Sequence, residues 1–270
     1  MAAAPRATGS RATGSRAADP SAADSRAVGA PATGAPAVAP SVLDAHLADL
    51  AAALVPYRGC EELLARWGGE LAHRLAAGGR LLVAGNGGSA AEAQHLTAEL
   101  VGKLRDDREP LSAIALHAET SALTAIGNDY GYDEVFARQV RAHGRADDIL
   151  LLMSTSGASA NLLAAASAGR DVGLRCWAFT GPDPNPLADA CHEALTIASP
   201  HSQVVQELHL VSTHVLCEYV DRVLPAALAA AGRPARAPAD PGSGPAGGRP
   251  VHAGVEVVLD DGVARDPGTG

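Results

Sequence analysis

An α/β fold, with a parallel sheet covered by helices on both faces, is the architecture that residues 41 to 224 predict. Short apolar runs of strand length recur at 80–85 (RLLVAG), 112–116 (SAIAL), 148–154 (DILLLMS), 174–180 (LRCWAFT) and 194–198 (ALTIA). Segments of helical periodicity separate them, and that alternation builds crossovers between parallel strands. Two of the runs end in Gly- and Ser-rich loops that lead directly into helical segments. In open parallel sheets such loops, beyond the carboxyl ends of the strands, are where ligands bind.

Each element has its own signal. Ser41 followed by Asp44 is a capping-box pattern, and Leu43, Leu47, Leu50 and Leu54 then repeat at helical spacing, so a first helix is expected over about 41–55. Cys60-Glu61-Glu62 opens a second, with Leu63, Leu64, Trp67, Leu71 and Leu75 on one face and Gly78-Gly79 as its stop. These two helices precede the sheet. Pairing with the same helices of another subunit is preferred over covering the sheet. Five strands follow with their crossovers, then a last helix over 201–224 with Val204, Val205, Leu208, Val211, Val215, Val220 and Val223 turned inward.

Residues 1–40 are Ala, Gly, Ser, Pro and Arg with almost no large apolar side chain, so little offsets the entropy of ordering them. The segment from 225 onward has the same character, and its strand-like run at 255–261 (VEVVLDD) is isolated. One domain, 41–224, between a disordered N-terminal tail (1–40) and a flexible C-terminal tail (225–270) is the expected organisation, with residues 1–39 and 226–270 dispensable.

Composition excludes several classes of function. Twenty-one basic against thirty acidic residues give a net charge of −9, which repels a phosphate backbone. Eight aromatic residues are too few for a base-stacking platform, so nucleic acid is not an expected partner. Cys60, Cys176, Cys191 and Cys217 are scattered, without a C-x-x-C pair, and read as reduced thiols. No run approaches the eighteen or so apolar residues of a membrane span, and the N-terminus has charge without an apolar stretch behind it. A cytoplasmic protein without membrane partners is expected.

The loop after the first strand reads Gly85-Asn86-Gly87-Gly88-Ser89-Ala90. It matches a dinucleotide fingerprint, but that fingerprint requires an acidic residue about twenty positions on. The chain has Ala115-Leu116-His117 there. The loop after the third strand, Ser154-Thr155-Ser156-Gly157-Ala158-Ser159, combines hydroxyls, backbone N–H groups and the positive end of a helix dipole. Either a phosphate cradle or a plain Ser-rich helix start fits that loop. Between them, His95 and Glu99 stand four apart on one helix face near the first loop, as a metal-ligand pair, an acid/base couple or a solvated pair would. Near the chain's far end, Gln206 and His214 lie two turns apart, roughly 12 Å along a helix axis, so both reach one ion only by leaning together. Asn128-Asp129 reads as a turn.

In order along the chain, GNGGSA, H-x-x-x-E, GND-x-G, STSG-x-S-x-N and QE-x-H-x(4)-H resemble the phosphoheptose isomerases within the sugar-isomerase (SIS) family, over about residues 41–224. That resemblance implies a five-stranded parallel sheet in an α/β/α sandwich of flavodoxin-like order, assembled as a homotetramer. It implies conversion of sedoheptulose 7-phosphate to D-glycero-D-manno-heptose 7-phosphate, in nucleotide-activated heptose biosynthesis. Carried over by position, it makes His95, Glu99, Gln206 and His214 ligands of one zinc ion per subunit, with Glu99 and His214 the acid/base pair. Substrate contacts fall to Asn86, Gly87, Gly88, His95, Glu99, Asn128, Asp129, Ser154, Thr155, Ser156, Ser159 and Gln206. One position departs from the family: an acidic-basic pair is expected before the last motif, and Gln203-Val204 stands there.

Two other readings share the loops. A non-enzymatic SIS-domain protein that binds the replication initiator has no use for Glu99 and His214 at the acid/base positions. A sugar-phosphate-sensing regulator should carry a helix-turn-helix or a basic segment, and none accompanies this domain.

Overall fold

The structure, a computed structural model, describes residues 39–233. Most of the two expected tails, including the run at 255–261, lies outside the described residues.

Helix α1 (Val42–Tyr57) starts as its capping box predicts, with the Asp44 N–H donating to Ser41 Oγ at 3.1 Å. A 3₁₀ turn at Arg58–Cys60 leads into α2 (Glu61–Ala76), whose first turn carries Glu61 and Glu62 and whose last carries His73 and Arg74. That charge order complements the helix dipole. Strand β1 (Leu81–Gly85) then enters the sheet, followed by α3 (Gly88–Val101), β2 (Ala113–Ala115), α4 (Thr120–Tyr130) and α5 (Ala137–His143). The remaining elements are β3 (Ile149–Ser154), α6 (Ala160–Val172), β4 (Arg175–Thr180), α7 (Pro186–Ala190), β5 (Glu193–Thr196) and α8 (Ser202–Ala230). All strand pairs are parallel and their order is β2-β1-β3-β4-β5, the flavodoxin-like order.

Alternate residues of each strand feed different cores. Leu81 and Val83, with Leu151, Met153, Trp177 and Phe179, pack beneath α2, α3 and α8. Leu82, Ala84, Leu150, Leu152 and Ala178 pack beneath α5, α6 and α7. On the first face Trp67 stacks on Trp177, ring centroids 4.5 Å apart and planes 3° from parallel, and donates its indole N–H to Glu193 Oε2 at 3.0 Å.

Three expectations are corrected. Helix α2 covers the sheet itself: Leu64, Trp67, Leu71 and Leu75 are buried in the chain's own core. The element left uncovered is α1, whose Leu43 and Leu47 are 64% and 51% exposed while Ala53 is buried. Besides the packing of Ala53, Leu50 and Tyr57 against the core, polar pairs tie it to α8: His46 to Glu207 at 2.7 Å and His201 to Asp49 at 3.3 Å. On α8, Val211 is 40% exposed rather than inward.

The last helix also does not stop at 224. Pro225 lacks an N–H, yet α8 continues to Ala230 because Leu224, Ala227 and Leu228 are buried in the core beside α2. Arg233 then donates to Ala76 O at 3.2 Å and pairs with Glu109 at 3.1 Å. A chain ending at residue 225 should therefore lose about 2–4 kcal/mol of stability relative to one ending at 233, from the burial of Leu228 and Ala227 alone. Thermal melting should register this as a fall of roughly 5–15 °C; equal melting temperatures would show that the final turn contributes nothing.

Candidate active site

Two loops and two helices meet at the carboxyl edge of the sheet. Asn86, after β1, exchanges a reciprocal pair of amide hydrogen bonds with Asn161 in the first turn of α6, 3.0 Å in each direction. Asn161 is buried, and Tyr132 Oη reaches the same Asn86 oxygen at 3.4 Å. Asn161 closes the STSG-x-S-x-N pattern, and the sequence alone gives it no role. No local signal indicates that a side chain on α6 turns back across β3 to the first loop.

Gly87 is the N-cap of α3 and supplies no side-chain cap; the Ser89 and Ala90 N–H groups turn back to Asn86 O and Gly87 O, both at 3.1 Å. Gly88 begins α3, and a Cβ there would come within 2.6–2.8 Å of the Gln206 carboxamide. Only glycine lets Gln206, from the first turns of α8, lie against the backbone of this loop. The structure thus places Gln206 at the loop.

The loop after β3 is built around Ser154. Its Oγ accepts from the Gly157 N–H at 3.1 Å and lies 3.4 Å from Ser156 Oγ and 3.5 Å from Ser159 Oγ. Ser156 Oγ accepts from the Ala158 N–H at 3.3 Å. Ser159 occupies the N-cap position of α6 but makes no side-chain capping bond, so the N–H groups that open the helix are not taken up by its hydroxyl. Gly157 has φ +61°, and a Cβ on it would fall 2.0 Å from Asn185 Oδ1. Asn185 in turn caps α7 through Ala188 N–H and donates to Thr180 Oγ1, so it braces the loop from β4. Thr155 is half-buried in the same loop, its carbonyl packed against Gly181.

From α3, His95 and Glu99 face His214 of α8. The two Nε2 atoms are 2.9 Å apart, His95 Nε2 is 3.4 Å from Glu99 Oε1, and one ligating atom from each of the three lies within 4.8 Å of the others. Glu99 Oε2 is buried and has no hydrogen-bond partner among the described residues. The ion-pair contact of Glu99 is with His95, not with Lys103 one turn further on. Asn128 and Asp129 form the last turn of α4 instead of a free turn; both are exposed, with the Asn128 amide donating to Asp129 Oδ1 at 2.8 Å.

A second polar pair lies deeper between the same helices. His209 is fully buried, its Nε2 on Thr180 O at 3.1 Å, and its Nδ1 is 3.9 Å from Glu92 Oε2. Burial pushes the Glu92 carboxyl up to about 7 and lowers His209 to about 4, the Thr180 carbonyl partly opposing the latter. His209 is therefore neutral at pH 7, and Glu92 holds its proton more readily than an ordinary carboxyl. The spacing of these residues on their helices (Glu92 three before His95, His209 three after Gln206) is visible in the sequence, but their isolation from water is not. His117, at the position where a dinucleotide site needs an acidic residue, lies in the turn two residues past β2, beside Ala90, and burial lowers its imidazole.

Among the described residues no helix is long and apolar enough to cross a membrane, and all four cysteines are free. Residues 61–181 match the SIS domain family model. The chain is 59% identical over 187 residues to a phosphoheptose isomerase of Streptomyces coelicolor, spanning 69% of this chain and 80% of that protein. It is 42% identical over 189 residues to a phosphoheptose isomerase of a Bradyrhizobium species, covering 69% of this chain and 96% of the other. The solved phosphoheptose isomerase of Neisseria gonorrhoeae superposes with a TM-score of 0.62 at 39% identity, over 67% of this chain and 97% of that one. By its identity to these relatives over most of their length and by its fold, the chain belongs to the phosphoheptose isomerase family of SIS-domain proteins.

Proposed function

We propose that this protein isomerises sedoheptulose 7-phosphate to D-glycero-D-manno-heptose 7-phosphate, with Glu99 and His214 as its acid/base pair. The observation that carries this reading is the convergence of His95, Glu99 and His214 from two helices at the ligand edge of the sheet. A binding protein needs no such cluster. Ketose-to-aldose isomerisation moves a proton between neighbouring carbons through an enediol, and it needs a base and an acid on the two sides of that unit. Glu99 withdraws the C1 proton while His214 hands a proton to the C2 oxygen, giving the enediol. Return of a proton to C2 and loss of one from the C1 hydroxyl complete the aldose, so the pair ends in its starting state.

The other residues bind. The phosphate sits on Ser154, Thr155, Ser156 and Ser159 at the start of α6, where hydroxyls and helix N–H groups converge. Asn86, Gly87 and Gly88 take the sugar chain, Asn161 holding Asn86 in place. His95, Gln206, Asn128 and Asp129 complete the substrate contacts.

His95, Glu99 and His214 also suit a zinc ion: two imidazoles and a carboxylate are its ordinary donors, and the buried Glu99 Oε2 has no hydrogen-bond partner among the described residues. Gln206 is the proposed fourth ligand, one ion per subunit. When bound, zinc supplies polarisation of the substrate oxygens. The protein is expected to convert sedoheptulose 7-phosphate to an aldose 7-phosphate, to contain about one zinc per chain by elemental analysis, and to lose activity in a strong chelator. Full activity in metal-free protein would confine the cluster to proton transfer, and failure to consume the ketose would overturn the function.

The exposed Leu43 and Leu47 of α1 support assembly into a homotetramer, in which another subunit covers the apolar face that this chain leaves open. Sedimentation at the mass of four chains checks it. The free cysteines support a reducing cytoplasm as its location.

A further inference from the structure

The candidate base sits near the end of α3, two residues before a helix terminus that its own sequence does not stabilise. The last turn of α3 carries no basic residue, and its C-cap, Gly102, satisfies one carbonyl, that of Ala98. A helix end leaves its last carbonyls without helical partners and concentrates negative partial charge there. The Leu111 N–H donates to Leu100 O at 3.1 Å, and one side chain from outside the helix supplies further donors. Arg108, in the connection to β2, donates from Nη2 to Glu99 O at 2.7 Å and from Nη1 to Leu100 O at 2.8 Å, Glu109 O at 3.1 Å and Gly102 O at 3.4 Å. The same guanidinium is anchored through Nε to Asp221 Oδ1 of α8 at 2.6 Å, and the Arg108 side chain is only 11% exposed.

Asp221 lies seven residues, two helical turns, after His214 and therefore on the same side of α8. The guanidinium thus bridges the main chain of Glu99 to the helix that carries His214. Cys217, one turn before Asp221, is buried at this seam, where the carboxylates of Asp221 and Glu99 add to the effect of burial in raising its thiol to about 12 and Arg108 opposes them. The planar fork suits the task, since five rigidly oriented donors can hold several carbonyls and a carboxylate at once.

We propose that Arg108 is a positioning residue for the isomerisation: it locks the C-terminal turn of α3 to α8 and thereby sets the placement of Glu99 relative to His214. This rests on the acid/base reading of Glu99 given above. A simple strap between the connection and α8 would behave differently, and the chain carries its own control. Arg105, three residues earlier, pairs with Glu218 of α8 across the same seam but is 69% exposed and, among the described residues, donates to no α3 carbonyl.

The test compares Arg108→Gln, Arg108→Lys, Asp221→Asn and Arg105→Gln in the full chain. Arg108→Gln should lower kcat on the order of 10²-fold with KM within about threefold, because a displacement of about 1 Å is enough to cost that much. Arg108→Lys should recover part of the loss and Asp221→Asn should fall between, since each keeps some of the bonds. Zinc affinity, read by competition with a chromogenic chelator, should weaken about 10- to 100-fold in Arg108→Gln. Arg105→Gln should retain the parent kcat and zinc affinity. If Arg108→Gln does not fold, Asp221→Asn decides the matter. Parent turnover in both Arg108→Gln and Asp221→Asn, or an equal loss in Arg105→Gln, overturns the proposal. A fully active Glu99→Gln protein would instead remove the acid/base reading beneath it, and the two failures are thereby distinguished.

Discussion

Glu99→Gln should lower kcat by about 10²- to 10⁴-fold while leaving KM and the melting temperature nearly unchanged. The substitution keeps the side chain's shape and a hydrogen-bonding oxygen but removes the proton acceptor. A surface ion pair in its place would give a different result, at most about 1 kcal/mol of stability and no change in turnover. The structure weighs against that second outcome, because Glu99 faces His95 at 3.4 Å and buries Oε2. Zinc content should be measured on the same preparation, so that loss of a base is separated from loss of a ligand. The most direct readout is exchange of the substrate C1 proton with solvent. Exchange by the Glu99→Gln protein at the parent rate would show that another group takes the proton, and the assignment would fall. His214→Asn makes the corresponding test on the other side of the enediol.

Ser156→Asp should raise KM on the order of 10²-fold, with kcat at saturation and the fold little affected. Ser156 is exposed in the loop after β3, and its hydroxyl accepts from the Ala158 N–H, a bond that an Asp carboxylate can also accept. The local turn therefore survives. What changes is a fixed negative charge where the substrate phosphate is expected, at a helix N-terminus that would otherwise attract it. Ser156→Ala should have a small effect, since Ser154 and Ser159 lie beside it. An unaltered KM in Ser156→Asp would move the phosphate elsewhere on the sheet edge.

The parts of the site that lie on the loops after β1 and β3 were legible because a strand followed by Gly or Ser at a helix start is a local pattern. His95 and Glu99 share a face of α3 by their four-residue spacing alone. Asn161 was not assigned because its contact with Asn86 spans 75 positions of chain. Arg108 was missed for the same reason, with 113 positions between it and Asp221. Asn128 and Asp129 have the composition of a turn but lie in the last turn of α4, which runs to Tyr130.

Periodicity and turn residues by themselves determined the class of fold, the five strands to within one or two residues and the loops that face a ligand, because these depend on neighbours in the chain. Tertiary structure alone decided which preceding helix is buried: α2 and α1 both carry Leu at helical spacing, but only α2 meets the sheet through Trp67 and Leu71. It also decided that α8 runs past Pro225, since burial of Ala227 and Leu228 outweighs one missing N–H. Finally, it decided which polar groups lose water: Glu92 and His209 look ordinary in the sequence, and only their enclosure between α3 and α8 shifts both away from their usual protonation.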